Sequence, residues 1–330
     1  TIITMSSHHW LLAWLGLELN TMSILPMITK PHHPRATEAA TKYFLTQAMA
    51  AALILFASIT NMWQTGQWAI THTVSTTAAT IMLAAIVMKL GAAPAHLWYP
   101  EVLQGSTMRT ALIMSTWQKI APLTLLYLTL NNLPTKALML IGLISALIGG
   151  WAGLNQTQTR KILAFSSIAH IGWLLVALSM SPTLTTLTLM TYLIMTTTMF
   201  MSLDSTNSKT LLDLGTAWSL NPTLLATTMM TLMSLGGLPP LTGFMPKWLI
   251  LKDLVLIELM PFATILALSS LPSLFFYIRM AYMTTLTTPP HTTMSQYKWR
   301  FKPGLYTSMT TTIALTTLLL PISPLLYTTT

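Results

Sequence analysis

Apolar runs of about twenty residues recur along almost the whole of this chain, most with at most one charge between their ends. Coiled as an α-helix, such a run matches the thickness of a bilayer's hydrocarbon core, so this pattern limits the fold more than any motif does. The runs fall at 8–28, 40–63, 74–98, 108–130, 136–154, 160–180, 183–203, 222–250, 259–283 and 305–326. Only 7% of the 330 residues are charged, against 53% hydrophobic. A soluble surface takes about a quarter of its residues charged, so most of this chain must face lipid. The reading is an all-α polytopic membrane protein of about ten complete spans, with residues 1–6 as the tail of a truncated first helix. The connections are short and polar, so residues 1–330 read as a single membrane domain. No n-region or cleavage site precedes the first run, which argues against a signal or transit peptide.

The net charge of +9 raises nucleic acid as a partner, but the basic residues are single and scattered. Without a basic stripe or interleaved aromatics, that partner is excluded. The excess sorts by loop instead. If spans alternate, one side carries Lys30, Arg35, Lys42, Arg109, Arg160, Lys161, Lys209, Lys298, Arg300 and Lys302, and the other only Lys136 and Lys252. The positive-inside rule places the first set on the side of synthesis. There is no cysteine, so disulfides and thiolate metal sites are ruled out. The pairs His8–His9 and His32–His33 lack carboxylate company and read as interface residues rather than metal ligands. Heavy use of Met and Thr inside the apolar runs fits an organelle-encoded gene, for which the side of synthesis is the matrix.

Two runs are interrupted. MKLGAAP places Gly91 and Pro94 just after Lys89, and SLGGLPPLTGFMPKW (234–248) places two glycines, Pro239–Pro240, Gly243 and Pro246 ahead of Lys247. Gly and Pro leave carbonyls without helical donors, which at membrane depth is tolerable only against protein or a water-filled cavity. Paired broken helices in the two halves of a chain point to inverted repeats and an ion path. The repeats read as about 8–154 and 158–283, with a final span at about 305–326. This rests on the breaks alone.

Four charges lie inside runs rather than at their ends: Glu18, Lys89, Lys119 and Lys247. An ionised side chain at the bilayer centre costs roughly 2.5–3.5 kcal/mol on insertion scales, so such a group must pair, meet water or turn neutral, and each of these suits proton transport. Blander roles compete. Glu18 could serve as a structural partner within the bundle, Lys89 could cap freed carbonyls, and Lys247 could snorkel. Lys42 opens the second run, where a snorkelling interface lysine is the default. His170, beside Ser166 and Ser167, is either a core histidine bonded to a hydroxyl or a proton relay. Glu101 reads as a loop anchor or subunit contact, and Arg160–Lys161 as an interfacial anchor. No phosphate-cradling glycine loop, haem-type histidine pair or iron–sulfur cysteine is present, so the chain is expected to bind no redox cofactor.

Several blocks carry a resemblance across essentially the whole chain: HHWLLAWLGLELN (8–20), HHPRATEAATKYFLTQA (32–48), MKLGAAPAHLWYPEVLQG (88–105), STWQKIAP (115–122), GLNQTQTRKILAFSSIAHIGW (153–173) and SLGGLPPLTGFMPKW (234–248). Together they resemble the vertebrate chain 2 family of mitochondrial NADH:ubiquinone oxidoreductase (complex I). The resemblance implies an antiporter-like helix bundle in the proton-pumping membrane arm, multi-pass in the mitochondrial inner membrane, with the other membrane-arm subunits as partners. It implies that NADH, FMN, iron–sulfur clusters and ubiquinone are used elsewhere in the complex. In that family a glutamate pairs with a broken-helix lysine and further lysines carry the proton line. Glu18, Lys89, Lys119 and Lys247 match those positions, and Lys42 matches a family lysine. Family members begin with a methionine and a complete first helix, which this sequence does not show. Two rivals remain: a stand-alone cation/proton antiporter-type secondary transporter, and a scaffold whose charges only hold helices together. Lysines rather than carboxylates at both breaks disfavour a cation substrate.

Overall fold

Helices account for nearly all of the regular structure, because each apolar run must satisfy its own backbone groups. The computed structural model describes residues 1–71, 75–217, 222–285 and 308–322. In chain order the helices are α1 (Ile2–Met5), α2 (Trp10–Thr29), α3 (Pro34–Thr65), α4 (Thr76–Leu90), α5 (Trp98–Gly105), α6 (Met108–Ser115), α7 (Trp117–Thr129) and α8 (Thr135–Gly153). There follow α9 (Thr159–Met180), α10 (Pro182–Thr206), α11 (Leu211–Thr216), α12 (Pro222–Gly236), α13 (Phe244–Leu256), α14 (Met260–Thr285) and α15 (Met309–Leu318). Extended pairing among the described residues is limited to isolated bridges, His9 with Ala69 and Gln158 with Thr210.

Among the described residues six helices are long and apolar enough to cross a membrane: α2, α3, α8, α9, α10 and α14. The other expected spans differ in form. Residues 74–98, 108–130 and 222–250 are each divided into shorter helices, and only part of 305–326 lies within the described residues. Lys298, Arg300 and Lys302, which weighed in the charge asymmetry, lie outside them. Large apolar side chains stand outward on the long helices, including Leu45, Met49, Trp63, Leu268 and Phe275, as a lipid-facing surface requires.

Local chemistry sets the boundaries. α3 begins at Pro34, six residues before the apolar run, because proline in the first turn gives up an N–H that has no helical acceptor anyway. The His33 ring accepts a hydrogen bond from the Arg35 N–H at 3.2 Å, and His9 does the same for Leu11 at 3.2 Å. The second histidine of each pair is therefore a helix cap, a role rarely taken by histidine. At α11 the caps are conventional: Thr210 and Asp213 form a reciprocal capping box. The N–H groups of Thr210 and Lys209 and the Thr210 hydroxyl hold the Asp213 carboxyl below its usual range.

The described chain gathers into two compact units. One comprises Thr1–Ser145 with Ile171–Pro182, the other Ala146–His170 with Thr183–Thr330. In the first, α3 packs against α2, α4 and α5, while α7 packs against α4 and α1. In the second, α14 packs against α11, α12 and α13, and α12 against α15. A Cβ at Gly149 would sit 2.6 Å from the Ala169 N and 2.9 Å from the Phe165 carbonyl, so only glycine lets α8 approach the first half of α9 this closely.

Candidate functional site

In the first unit three helices bring ionisable groups to one place: α2 with Glu18, α4 with Lys89 and α7 with Lys119. Lys89 occupies the last turn of α4, where the unpaired carbonyls favour a cation. Directly beyond it the helix stops at Gly91, whose φ of +71° is left-handed. A side chain there would also crowd Trp98 and Tyr99 at 3.2 Å each. Two of the carbonyls at this stop are covered without help from the lysine. The Met88 carbonyl accepts from the Gly91 N–H and from the Trp98 indole, each at 3.2 Å, and the Val87 carbonyl accepts from the Ala92 N–H at 3.2 Å.

Lys89 is consequently left with its charge and little else. It is 7% exposed, too enclosed to snorkel, and its Nζ makes no hydrogen bond with any described residue. Glu18 lies within electrostatic range of both Lys89 and Tyr43, and one of its carboxylate oxygens is buried without a hydrogen bond. Lys119 is 2% exposed and stands over the Tyr99 ring, with Nζ 4.7 Å from the centroid. The negative face of a phenol ring holds a cation by about 0.5–2 kcal/mol.

A cavity of about 20 Å³ lies among these groups, its wall including Asn20, Tyr43, Lys89, Tyr99, Gln118 and Lys119. About 10–15 Å³ suffices for one water, so the space suits a single water between hydrogen-bonding side chains. The Lys89 ammonium, without a hydrogen bond, thus lines a space with room for one water, and a Glu18 carboxylate oxygen without a hydrogen bond lies within electrostatic range of it.

The second unit holds Lys247 and His170. Its broken helix stops at Gly236, and Gly237 takes φ +82°. Here the lysine is the cap: the Lys247 Nζ donates to the Gly236 carbonyl at 3.0 Å. Tyr277, fully buried, lies against Gly236 and shares a hydrogen bond of 3.3 Å with His170 Nε2. This phenol contact is compatible with either reading of His170, and the Tyr277 hydroxyl also interacts with Ser166.

Lys42 stands apart. It is 41% exposed at the side chain and forms ion pairs of 2.5 Å with Glu38, one turn earlier on α3, and with Glu101 on α5. Glu101 therefore anchors α5 to α3 through Lys42, as a half-solvated clamp weakened by salt. Among the described residues no group of three or more His, Asp or Glu is placed to hold a metal ion.

Sequence reasoning named the charges but not the neutral groups around them. Asn20 and Gln118, which hydrogen-bond each other, and Tyr43, Tyr99 and Tyr277 were passed over. Their signal was present: a carboxamide or phenol in an apolar span must find a partner inside the protein. The division between α6 and α7 was missed as well. It occurs at Thr116 (φ −112°, ψ −74°) with neither glycine nor proline at the break, and the hydroxyls of Ser115 and Thr116 both donate to the Leu112 carbonyl, at 2.9 and 2.7 Å.

Known proteins place this architecture. A family model described as "NADH:quinone oxidoreductase/Mrp antiporter, TM" matches residues 7–273, and one described as "NADH dehydrogenase subunit 2 C-terminus" matches residues 274–327. Helical bundle, broken helices and family match together define an antiporter-like membrane subunit. The NADH-ubiquinone oxidoreductase chain 2 of Gallus gallus is 55% identical over 328 residues, 99% of this chain and 95% of that protein. The chain belongs to the NADH-ubiquinone oxidoreductase chain 2 family. A chain in a structure of respiratory complex I from Thermus thermophilus superposes with a TM-score of 0.84 at 26% identity, covering 98% of this chain and 76% of that one. A chain of the Mrp complex from a Dietzia species has the same fold, with a TM-score of 0.82 at 16% identity over 97% of this chain and 72% of that one.

Proposed function

We propose that protons cross the membrane through this chain by way of Glu18, Lys89 and Lys119 in the first unit, with Lys247 and His170 supplying the second unit's share. The chain is a core membrane-arm subunit of the proton-pumping NADH:ubiquinone oxidoreductase. It assembles with other subunits of that complex, which carry the electrons from NADH to ubiquinone through FMN and iron–sulfur clusters. Its setting is the mitochondrial inner membrane, with the more basic loops facing the matrix. The divided helices at 76–105, 108–129 and 222–256 count as interrupted crossings, and with the final span that contains Met309–Leu318 the total comes to about ten, consistent with inverted repeats.

The observation that carries this reading is Lys89 Nζ, buried beside Glu18 with no hydrogen bond and next to a cavity with room for a water. A merely structural lysine would be expected to satisfy a carbonyl or close an ion pair. The test is proton pumping per NADH and NADH:ubiquinone turnover in assembled complexes carrying Lys89→Met or Glu18→Gln. Each variant is expected to lower coupled pumping by about ten-fold or more, as loss of a group that hands on protons does. Unchanged pumping and turnover in a normally assembled complex refutes the path and leaves a scaffold. Lys42→Met, which removes only the half-solvated clamp, is expected to pump normally once assembled.

A further inference from the structure

The side chains of Asn20 and Gln118 form a closed amide pair. Asn20 Nδ2 donates to Gln118 Oε1 at 2.9 Å, and Gln118 Nε2 donates to Asn20 Oδ1 at 3.0 Å. The two residues are 98 apart in sequence and join α2 to α7. Asn20 is two residues beyond Glu18, and Gln118 immediately precedes Lys119. Both line the cavity that Lys89 and Lys119 share. Gln118 also follows closely on Thr116, where the chain departs from helical geometry, so the start of α7 needs something other than continuous helix to fix its register.

We propose that Asn20 and Gln118 are positioning residues of the proton path, a neutral tie beside the cavity that holds α2, with Glu18, in register with α7, with Lys119. The inference rests on the proton-path reading above and adds the pair that sets its geometry. Two properties suit an amide pair to this task. Its reciprocal bonds fix both distance and orientation, which a single hydroxyl contact does not. Neither amide titrates in the working pH range, so the tie keeps its geometry while the charges around it change. A carboxylate in either place would compete for the proton and pair with Lys119. Each amide also keeps one N–H and acceptor capacity beyond the pair, available to a water in the cavity.

The experiment compares Asn20→Leu, Gln118→Leu, the exchanged double variant Asn20→Gln/Gln118→Asn, and Gln118→Glu, all in the assembled oxidoreductase in sealed vesicles, with Glu18→Gln as reference. The single leucine variants are expected to lower protons pumped per NADH about five-fold, the scale set by losing one or two net hydrogen bonds that hold a reacting geometry. The exchanged pair, which keeps both reciprocal bonds, is expected to restore most of that loss. Gln118→Glu is nearly isosteric and does not depend on tolerance of a leucine; it is expected to shift the pH profile of coupled turnover. Unchanged pumping in the leucine variants, no restoration by the exchange, or an unaltered pH profile in Gln118→Glu each overturns the tie. If Glu18→Gln lowers pumping while these variants do not, the path stands without the tie. If Glu18→Gln also pumps normally, the path itself fails.

Discussion

The two broken helices end alike and are capped by different groups. At the first, after α4, the Trp98 indole and nearby backbone N–H groups cover the freed carbonyls, and Lys89 keeps no hydrogen bond. At the second, after α12, Lys247 itself donates to the Gly236 carbonyl. Both lysines follow from the same requirement, a cation near the carbonyl end of an interrupted helix. The difference shows that a buried lysine beside a break is not one kind of residue. Where another side chain takes the capping role, the ammonium is available to a carboxylate and to water; where none does, the lysine is tied to the backbone.

The largest expected effects test how rigid each break is. Gly91→Ala and Gly237→Ala both force a left-handed residue to carry a Cβ, which costs about 1–2 kcal/mol. At Gly91 the new atom meets the Trp98 and Tyr99 side chains at 3.2 Å, whereas at Gly237 it meets the flexible end of Lys247 at 3.0 Å. Overpacking against the rings adds about 1–3 kcal/mol, so Gly91→Ala is expected to lower the thermal inactivation midpoint of the complex clearly more than Gly237→Ala. Equal losses would mean that the two breaks are equally stiff.

Next comes the division of labour between the lysines. Lys247→Met leaves the Gly236 carbonyl without its lysine donor, a loss of about 1–3 kcal/mol, and is expected to lower stability along with pumping. Lys89→Met removes an ammonium that has no hydrogen bond to lose, so pumping is expected to fall while the inactivation midpoint holds or rises. A drop in stability for both would erase the distinction. Trp98→Phe sharpens it further. Loss of the indole donor, about 1 kcal/mol, is expected to draw Lys89 toward the Met88 carbonyl, making the first break resemble the second and lowering pumping without touching any charge. The smallest effect is expected from Tyr277→Phe, which deletes one hydroxyl from the His170 contact. A change in stability of about 0.5–1.5 kcal/mol, with a modest change in the pH dependence of pumping, separates a participating histidine from one that is only packed.

Much of this was legible in the chain. MKLGAAP and SLGGLPPLTGF announce their breaks because glycine and proline remove donors or admit left-handed backbone, whatever surrounds them. Glu18, Lys89, Lys119 and Lys247 stand out because charge is costly in an apolar run. The break at Thr116 was hidden, since serine and threonine bend a helix only when their hydroxyls turn back to a carbonyl, as those of Ser115 and Thr116 do. The early start of α3 at Pro34 was also written in the sequence, but it lies outside the apolar run that was used to find the span. His9 and His33 show the opposite case, a capping role that residue type alone scarcely suggests.

The sequence by itself determined that this chain lives in a membrane as helices, where two of those helices break, and which charges stand inside apolar runs. All three are local consequences of transferring backbone and side chains from water to hydrocarbon, and can be summed along one strand of text. Only the tertiary structure decided which lysine is tied down and which is left available. That outcome depends on an indole ten residues along the chain from the carbonyl it caps, and on a carbonyl eleven residues from its lysine. Hydrogen bonds are won by whichever donor the fold brings within about 3 Å, and no reading of single residues ranks those competitors.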